Sequence, residues 1–144
     1  MRNEALKLSD FAGLWDVERH IKAEGSADAL FVGQAKWCPE GDGMRYREEG
    51  QLTIENQRPL HAEREYFWTP DLNVFFADGR FFHQVLTDGR ESTHWCYPDT
   101  YTGLYDFARW PEFSVSWHVS GPRKAYQSVT TYRRLWRKHS CKQV

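Results

Sequence analysis

Cysteine is scarce in this sequence, and its few positions do not follow the spacing of a disulfide scaffold or a zinc site. Three cysteines are present, Cys38, Cys96 and Cys141, and none lies in a Cys-x-x-Cys motif. Small secreted disulfide proteins normally carry an even number of cysteines, and structural zinc sites pair theirs at short spacings. We therefore expect three reduced thiols.

Long apolar runs are also missing. The first residues, MRNEALKLSDF, lack the roughly 7–15-residue apolar core of a secretory signal peptide. No later segment is apolar over the about 20 residues that a membrane-spanning helix requires. These absences predict a cytoplasmic protein with no membrane partner.

The sequence has no excess of charge of either sign. Its 19 Lys and Arg residues face 20 Asp and Glu residues, for a formal net charge of −1. Proteins that bind nucleic acids through their phosphates normally show a strong basic excess. We therefore predict no nucleic-acid partner, and interpret the basic stretch YRRLWRKHSCK as the solvated end of a last strand.

Aromatic residues, in contrast, are abundant. They make up 16% of the 144 residues, whereas all hydrophobic residues together reach only 40%. Each aromatic side chain buries a large apolar area, so a core built mainly from rings is large enough for one domain of this length. The whole chain, 1–144, is expected to form that single domain.

Alternating apolar and polar residues, separated by turn residues about every ten positions, predict strands through most of the chain. The segment ALKLSDFAG before them is expected to contain one helical turn. Connections this short favour an all-β fold, a single up-and-down antiparallel barrel of about ten strands, because closure removes the sheet edges. The predicted strands are Phe11–Ala23, Ala27–Cys38, Met44–Glu55, Pro59–Thr69, Leu72–Ala77, Arg80–Thr87, Arg90–Tyr97, Tyr101–Arg109, Glu112–Ser120 and Arg123–Trp136.

Two Asp-Gly pairs, in ADGR at 78–79 and TDGR at 88–89, predict tight hairpins that set the strand register. The first places Val74 opposite His83, and the second places His83 opposite His94. The two imidazoles would then lie on neighbouring strands with Cβ atoms about 5 Å apart.

One face of this three-stranded unit is the more continuously apolar of the two and has no carboxylate, so we predict that it faces the barrel interior. The outer face would carry Phe75, Phe82 and Trp95, and exposed rings in a row predict an interface in a homodimer. The residues of the predicted interior face are Leu72, Val74, Phe76, Phe81, His83, Val85, Ser92, His94 and Cys96.

The same alternation places polar residues inside the barrel. The first strand alternates, with apolar residues at Trp15, Val17 and Ile21. Arg19 falls in the same alternation and is therefore expected to face inward. Three-residue loops at NQR and TPD would place Glu48 opposite Tyr66 and Tyr66 opposite Val74. The predicted ligand-binding residues are Arg19, Tyr46, Glu48, Arg64, Tyr66, His83 and His94.

Two arginines and two histidines against one carboxylate favour an anionic or polar-aromatic small-molecule ligand. Buried polar groups are costly unless they are paired or contact a ligand. The alternative is therefore a closed network in which Glu48 bridges one or both arginines and no cavity remains.

His83 and His94 leave two catalytic alternatives open. Imidazole titrates near neutrality, so the pair could act as acid and base in an isomerase or cyclase. The same pair could bind a metal ion, with Glu48, Tyr66 or Cys96 completing the ligands. No cofactor can be named from the sequence, and no other catalytic candidate is identified.

The stretch FAGLWDVERHI resembles the Gly-x-Trp first strand of calycin barrels, such as lipocalins and fatty-acid-binding proteins. The resemblance implies that Trp15 packs at a closed barrel end against an arginine of the last strand, either Arg133 or Arg134. Haem-binding barrels of the nitrobindin type are similar in size, but their axial histidine has no matching motif around His118 or His139.

A longer series of motifs resembles the domain-of-unknown-function family numbered 6314 over nearly the whole chain. That resemblance implies a calycin-like barrel in bacterial proteins and supplies no established activity. The motifs are FAGLWDVERHI, GQAKWCP, YREEGQL, AEREYFW, VFFADGRFFHQV, HWCYPDTYTGLYDF and GPRKAYQSVTTYRR.

Overall fold

The structure, a computed structural model, describes residues 5–136 and Cys141. A 3₁₀ helix, Leu8–Phe11, precedes ten antiparallel strands. No helix among the described residues has the length and apolarity needed to cross a membrane. The strands are β1 (Gly13–Ala23), β2 (Ala29–Glu40), β3 (Gly43–Ile54), β4 (Leu60–Trp68), β5 (Asn73–Phe76), β6 (Phe81–Gln84), β7 (Ser92–Cys96), β8 (Asp99–Asp106), β9 (Phe113–Ser120) and β10 (Ala125–Trp136).

The ten strands form one nearly closed barrel, which confirms the predicted all-β fold of calycin type. The sheet runs β6-β5-β4-β3-β2-β1-β10-β9-β8-β7, so the first and last strands of the chain pair with each other. β6 and β7 are the two ends of this order and lie side by side without ladder pairing. We call the boundary between β6 and β7 the seam.

The pairing of β1 with β2 positions the inward-facing side chains of the first strand. Trp15 lies opposite Ala35 and Arg19 lies opposite Phe31, so large side chains of β1 face smaller or complementary positions of β2. Trp15 is fully buried and Arg19 is almost so. The alternation in FAGLWDVERHI therefore places the charged side chain of Arg19 inside the barrel.

The predicted register between β3 and β4 is wrong by two residues. Glu48 lies opposite Arg64 rather than Tyr66, because the turn between the two strands is centred on Asn56, where φ is positive, one residue earlier than predicted. Likewise Tyr66 lies opposite Phe76 rather than Val74. A shift of two residues keeps each side chain on its predicted face, since side chains alternate with a period of two.

The hairpin predicted at 88–89 does not form a strand ladder, and His83 and His94 are therefore not opposed. The amide of Val85 donates to the carbonyl oxygen of Leu72 at 2.8 Å, which keeps this part of the chain beside β5. The turn itself is closed locally by the Asp88 side chain, which accepts from the backbone N–H of residue 90 at 3.2 Å.

The hairpin at 78–79 does form, and Val74 lies opposite His83 as predicted. A β-bulge between Val74 and Phe75 then shifts the register, so Phe75 lies opposite Phe81. Phe82 consequently turns inward and is 7% exposed, whereas Phe81 is 45% exposed. The predicted interior position of Phe81 and outer position of Phe82 are thus wrong, because a bulge reverses which side chains face inward.

The outer face beside the seam still carries aromatic rings. Phe75 and Phe81 contact each other with centroids 5.6 Å apart, and Trp95 is 61% exposed. Phe82 is no longer part of this face. The homodimer stays a prediction.

The closed end of the barrel is filled by rings. The indole N–H of Trp15 donates to the carbonyl oxygen of Phe11 at 2.9 Å, which ties the 3₁₀ helix to β1. The guanidinium of Arg134 lies 4.5 Å from the centre of the Trp15 ring, so Arg134 is the arginine that the calycin resemblance implies. Phe11 is fully buried among the rings of Trp37, Trp68, Phe107, Trp110 and Phe113.

Cys38 and Cys141 form a disulfide, so the expectation of three reduced thiols is wrong. Their Cα atoms are 5.3 Å apart although the two residues are separated by 103 positions in the chain. Such a contact depends on the tertiary fold and leaves no local spacing motif. Cys96 is free and half-buried.

Candidate functional site

A cavity of about 250 Å³ lies inside the barrel, and 20 of the described residues line it. Ten of these 20 residues are Tyr, Trp or Phe, so rings form most of the wall. Six of the seven tyrosines in the sequence are among them: Tyr46, Tyr66, Tyr101, Tyr105, Tyr126 and Tyr132.

The structure brings six of the seven predicted ligand-binding residues together in the cavity wall: Arg19, Tyr46, Glu48, Arg64, Tyr66 and His83. His94 is the exception. Its ring packs edge-on against Phe81 at 5.6 Å and Phe82 at 6.2 Å, beside the seam. The ring of Phe82 lines the cavity, whereas His94 does not.

Arg19 and Glu48 form a buried bidentate ion pair. Arg19 donates from Nη1 to Oε2 at 2.6 Å and from Nη2 to Oε1 at 2.9 Å, and its Nε donates to Thr130 Oγ1 at 2.8 Å. Burial opposes ionisation of Glu48, but the hydrogen bonds and charge of Arg19 outweigh it and lower the pKa of the carboxyl group. Glu48 is therefore ionised at neutral pH.

Two tyrosines extend this network. The Tyr46 hydroxyl donates to Glu48 Oε1, and the hydroxyl oxygens of Tyr46 and Tyr132 are 2.9 Å apart. Burial, followed by the nearby charge of Glu48, raises the pKa of Tyr132 to about 12. Burial also raises the pKa of Tyr46 well above its ordinary value, so both phenols keep their protons.

Arg64 is held much more loosely than Arg19. Its Nε lies 3.8 Å from Glu48 Oε2, and its side chain is 47% exposed. Glu48 already neutralises Arg19, so the lining residues Arg19, Arg64 and Glu48 together carry one positive charge. The remaining charge is at Arg64, where both the cavity and solvent can reach it.

Three tyrosine hydroxyls in the cavity wall remain available. Within residues 5–136 and Cys141, the hydroxyls of Tyr66, Tyr101 and Tyr126 make no hydrogen bond. Arg64 is close enough to Tyr126 to lower its pKa, although burial has the larger, opposite effect. One guanidinium and three phenols are thus free to donate to a ligand.

His83 is buried and neutral. Its Nε2 lies 2.9 Å from the Tyr105 hydroxyl, and its Nδ1 has no hydrogen-bond partner among the described residues. Burial, with a smaller contribution from the charge of His94, lowers the pKa of His83 to about 3. The opposed histidine pair that the acid–base and metal alternatives require is not formed.

The described part of the chain does bring one group of three potential metal ligands together, which the sequence did not suggest. His61 Nε2 lies 3.5 Å from Glu49 and 3.4 Å from Glu63. All three side chains are exposed on the outer face of β3 and β4. Exposed groups of this kind are common without an ion, and they lie away from the cavity.

Sequence reasoning missed the contribution of the last three strands to the cavity. The Trp117 ring stacks on Phe82 with centroids 5.1 Å apart, and it also contacts His83, Tyr101 and Gly103. A Cβ atom at Gly103 would lie 2.6 Å from the Trp117 ring, so only glycine leaves room for it. An isolated glycine within a strand, as in YTGLYDF, was the available signal for such a close approach.

Comparisons with known proteins agree with this architecture. A family model described as "Family of unknown function (DUF6314)" matches residues 11–134. Among solved structures, the chain is similar to the S-type phycobiliprotein lyase CPES from Guillardia theta. The TM-score is 0.62 at 8% sequence identity, over 89% of this chain and 90% of that chain. No curated protein matches the sequence significantly.

Proposed function

The chain belongs to DUF6314, a family of unknown function, and from that premise we propose that it binds a small aromatic acid inside its barrel. The observation that carries the proposal is Arg64, a half-exposed cation in a cavity wall where the one carboxylate of the described residues, Glu48, is already paired with Arg19. The similarity to a phycobiliprotein lyase is one of fold at 8% identity, so the ligand class rests on the cavity.

The aromatic part of the ligand is inferred from the wall. Half of the lining residues carry rings, and aromatic pairs gain energy beyond the area they bury when they stack or meet edge to face. The cavity of about 250 Å³ falls below the roughly 300–1,000 Å³ of pockets for drug-sized ligands. A compact molecule of one or two rings suits this volume better than a long lipid chain.

The acidic part is inferred from the charge and the free donors. A carboxylate next to Arg64 could accept from the guanidinium and from the hydroxyls of Tyr66 or Tyr126. Hydrogen bonds to charged groups contribute about 1.5–3 kcal/mol each, more than neutral ones. The interior thus favours an anion over a neutral ligand of the same shape.

The closed-network alternative describes part of the interior correctly. Glu48 contacts both arginines, Arg19 at 2.6 Å and Arg64 at 3.8 Å. The network nevertheless leaves a cavity open beside it, and Arg64 keeps donors unused. These two facts favour ligand binding over a purely structural role.

The test compares 1-naphthaleneacetate with its neutral amide, 1-naphthaleneacetamide, by isothermal titration calorimetry. We expect the acid to bind more tightly and Arg64→Gln to weaken it about tenfold, the value of one charged hydrogen bond at a partly exposed site. The amide should bind the variant and the original protein equally. Arg47→Gln, which changes an exposed arginine on the outer face of β3, is the matched control.

Two results would contradict the proposal. If the amide binds as tightly as the acid, the cavity does not select an anion. If Arg47→Gln weakens the acid as much as Arg64→Gln does, the effect comes from the net charge of the protein and not from the cavity.

A further inference from the structure

The hydrogen-bond network at the buried end of the cavity has a fixed direction. Glu48 is ionised and can only accept, and the single hydroxyl proton of Tyr46 is donated to Glu48 Oε1. Because a phenol has one proton, Tyr46 can only accept in its contact with Tyr132. Tyr132 therefore donates to Tyr46 across the 2.9 Å that separates their oxygens.

This direction leaves the Tyr132 oxygen with lone pairs and no proton to offer. Within residues 5–136 and Cys141, the hydroxyl of Tyr132 has Tyr46 as its hydrogen-bond partner and no other. Tyr132 lines the cavity, so its oxygen presents an acceptor there. A donor group of the ligand can form a hydrogen bond to this oxygen, whereas an acceptor group of the ligand would meet only lone pairs.

The position of this acceptor is held by packing. The Tyr132 ring stacks on Phe113 with centroids 4.6 Å apart and planes 15° apart, and it meets Trp15 edge to face at 6.4 Å. Burial keeps the phenol in its protonated form. The Tyr132 ring is rigid and its hydroxyl proton is already donated to Tyr46. The hydroxyl therefore cannot turn its hydrogen towards a ligand acceptor, and it selects ligands that carry a donor.

We propose that the buried end of the cavity recognises an N–H or O–H group of the ligand through the Tyr132 oxygen. The inference rests on the proposed function and narrows it to aromatic acids that carry a ring donor at the end opposite the carboxylate. The two ends of the cavity differ accordingly. Arg64 offers donors at its half-exposed position, whereas Tyr132 offers a buried acceptor.

The experiment uses two acids of nearly the same shape, indole-3-acetate and benzofuran-3-acetate, in which a ring N–H is replaced by an oxygen. Calorimetry should show that the original protein prefers the indole roughly five- to tenfold, as expected for one neutral hydrogen bond made or lost. In Tyr132→Phe the ratio of the two dissociation constants should fall to about one. Tyr97→Phe, at a tyrosine exposed outside the cavity, should keep the original ratio.

A second measurement does not depend on any variant. When the acid binds the original protein, nuclear Overhauser effects should appear between the indole N–H proton and the ring protons of Tyr132, and their absence would contradict the proposed contact. Circular dichroism of Tyr132→Phe checks that the barrel still folds.

The outcomes separate the two proposals. Equal affinities of the original protein for both acids, or a preference that survives Tyr132→Phe, overturn the role of Tyr132 and leave the proposed function standing. Failure of both acids to bind overturns the proposed function for compact aromatic acids, and the role of Tyr132 with it.

Discussion

The buried histidine in the cavity wall makes the stability of this barrel sensitive to mild acid. His83 is neutral in the folded protein, with its pKa lowered to about 3 by burial, against an ordinary value of 6.5. Between these two values the unfolded chain binds a proton that the folded chain does not. Stability is therefore complete above about pH 6.5 and falls as the pH is lowered towards 3.

The size of the effect follows from the linkage between protonation and folding. Each pH unit between the two pKa values costs about 1.4 kcal/mol. From pH 7 to pH 5 the loss attributable to His83 is roughly 2 kcal/mol, since the unfolded imidazole titrates only in the lower part of that interval. That is a large fraction of the about 5–15 kcal/mol by which domains are usually stable.

Urea denaturation at pH 7 and pH 5 measures this loss. Between pH 7 and pH 5, the free energy of unfolding of the original protein should fall by about 2 kcal/mol more than that of His83→Gln, whose side chain does not titrate. His61→Gln, at an exposed histidine on the outer face, should behave like the original protein. If the original protein and His83→Gln lose the same stability, His83 is not the buried neutral group that the structure shows.

Two further predictions concern packing and covalent structure. Gly103→Ala should destabilise the barrel by about 1–3 kcal/mol, because its Cβ would lie 2.6 Å from the Trp117 ring, and Trp117→Leu should restore part of that loss in the double variant. Thermal denaturation of the two variants tests this, and an unchanged midpoint for Gly103→Ala would contradict it. Reduction of the Cys38–Cys141 bond should cost about 2–4 kcal/mol. Denaturation with and without reductant measures this cost, Cys38→Ser should become insensitive to reductant, and Cys96→Ser should respond as the original protein does.

The strands and most of the candidate site could be predicted because both depend on alternation. Arg19 lies inside since Trp15 and Val17 do, and Glu48 keeps its predicted face although it lies opposite Arg64 and not Tyr66. An error of two residues in register does not exchange the inward and outward faces of a strand. Six of the seven predicted residues therefore meet in the cavity.

The failures have a different origin. Asp-Gly at 88–89 specifies a turn but not the pairing of the strands beside it, and Val85 instead bonds to Leu72. One bulged residue was enough to exchange Phe81 and Phe82 between the two faces. The contact of Cys38 with Cys141 spans 103 positions and has no local signature. The strand pairing, the bulge and the disulfide each depend on contacts that exist only in the assembled barrel.

The seam between β6 and β7 interrupts the backbone hydrogen bonding around the barrel. A ring of strands that is hydrogen-bonded all the way round has a fixed circumference, since widening it breaks a complete ladder. Here the interior side of the seam is spanned by contacts of the Phe82 ring, which stacks on Trp117 at 5.1 Å and meets Tyr101 edge to face at 5.6 Å. Such contacts are individually weak and can slide, so the circumference can adjust to its contents without breaking a backbone hydrogen bond.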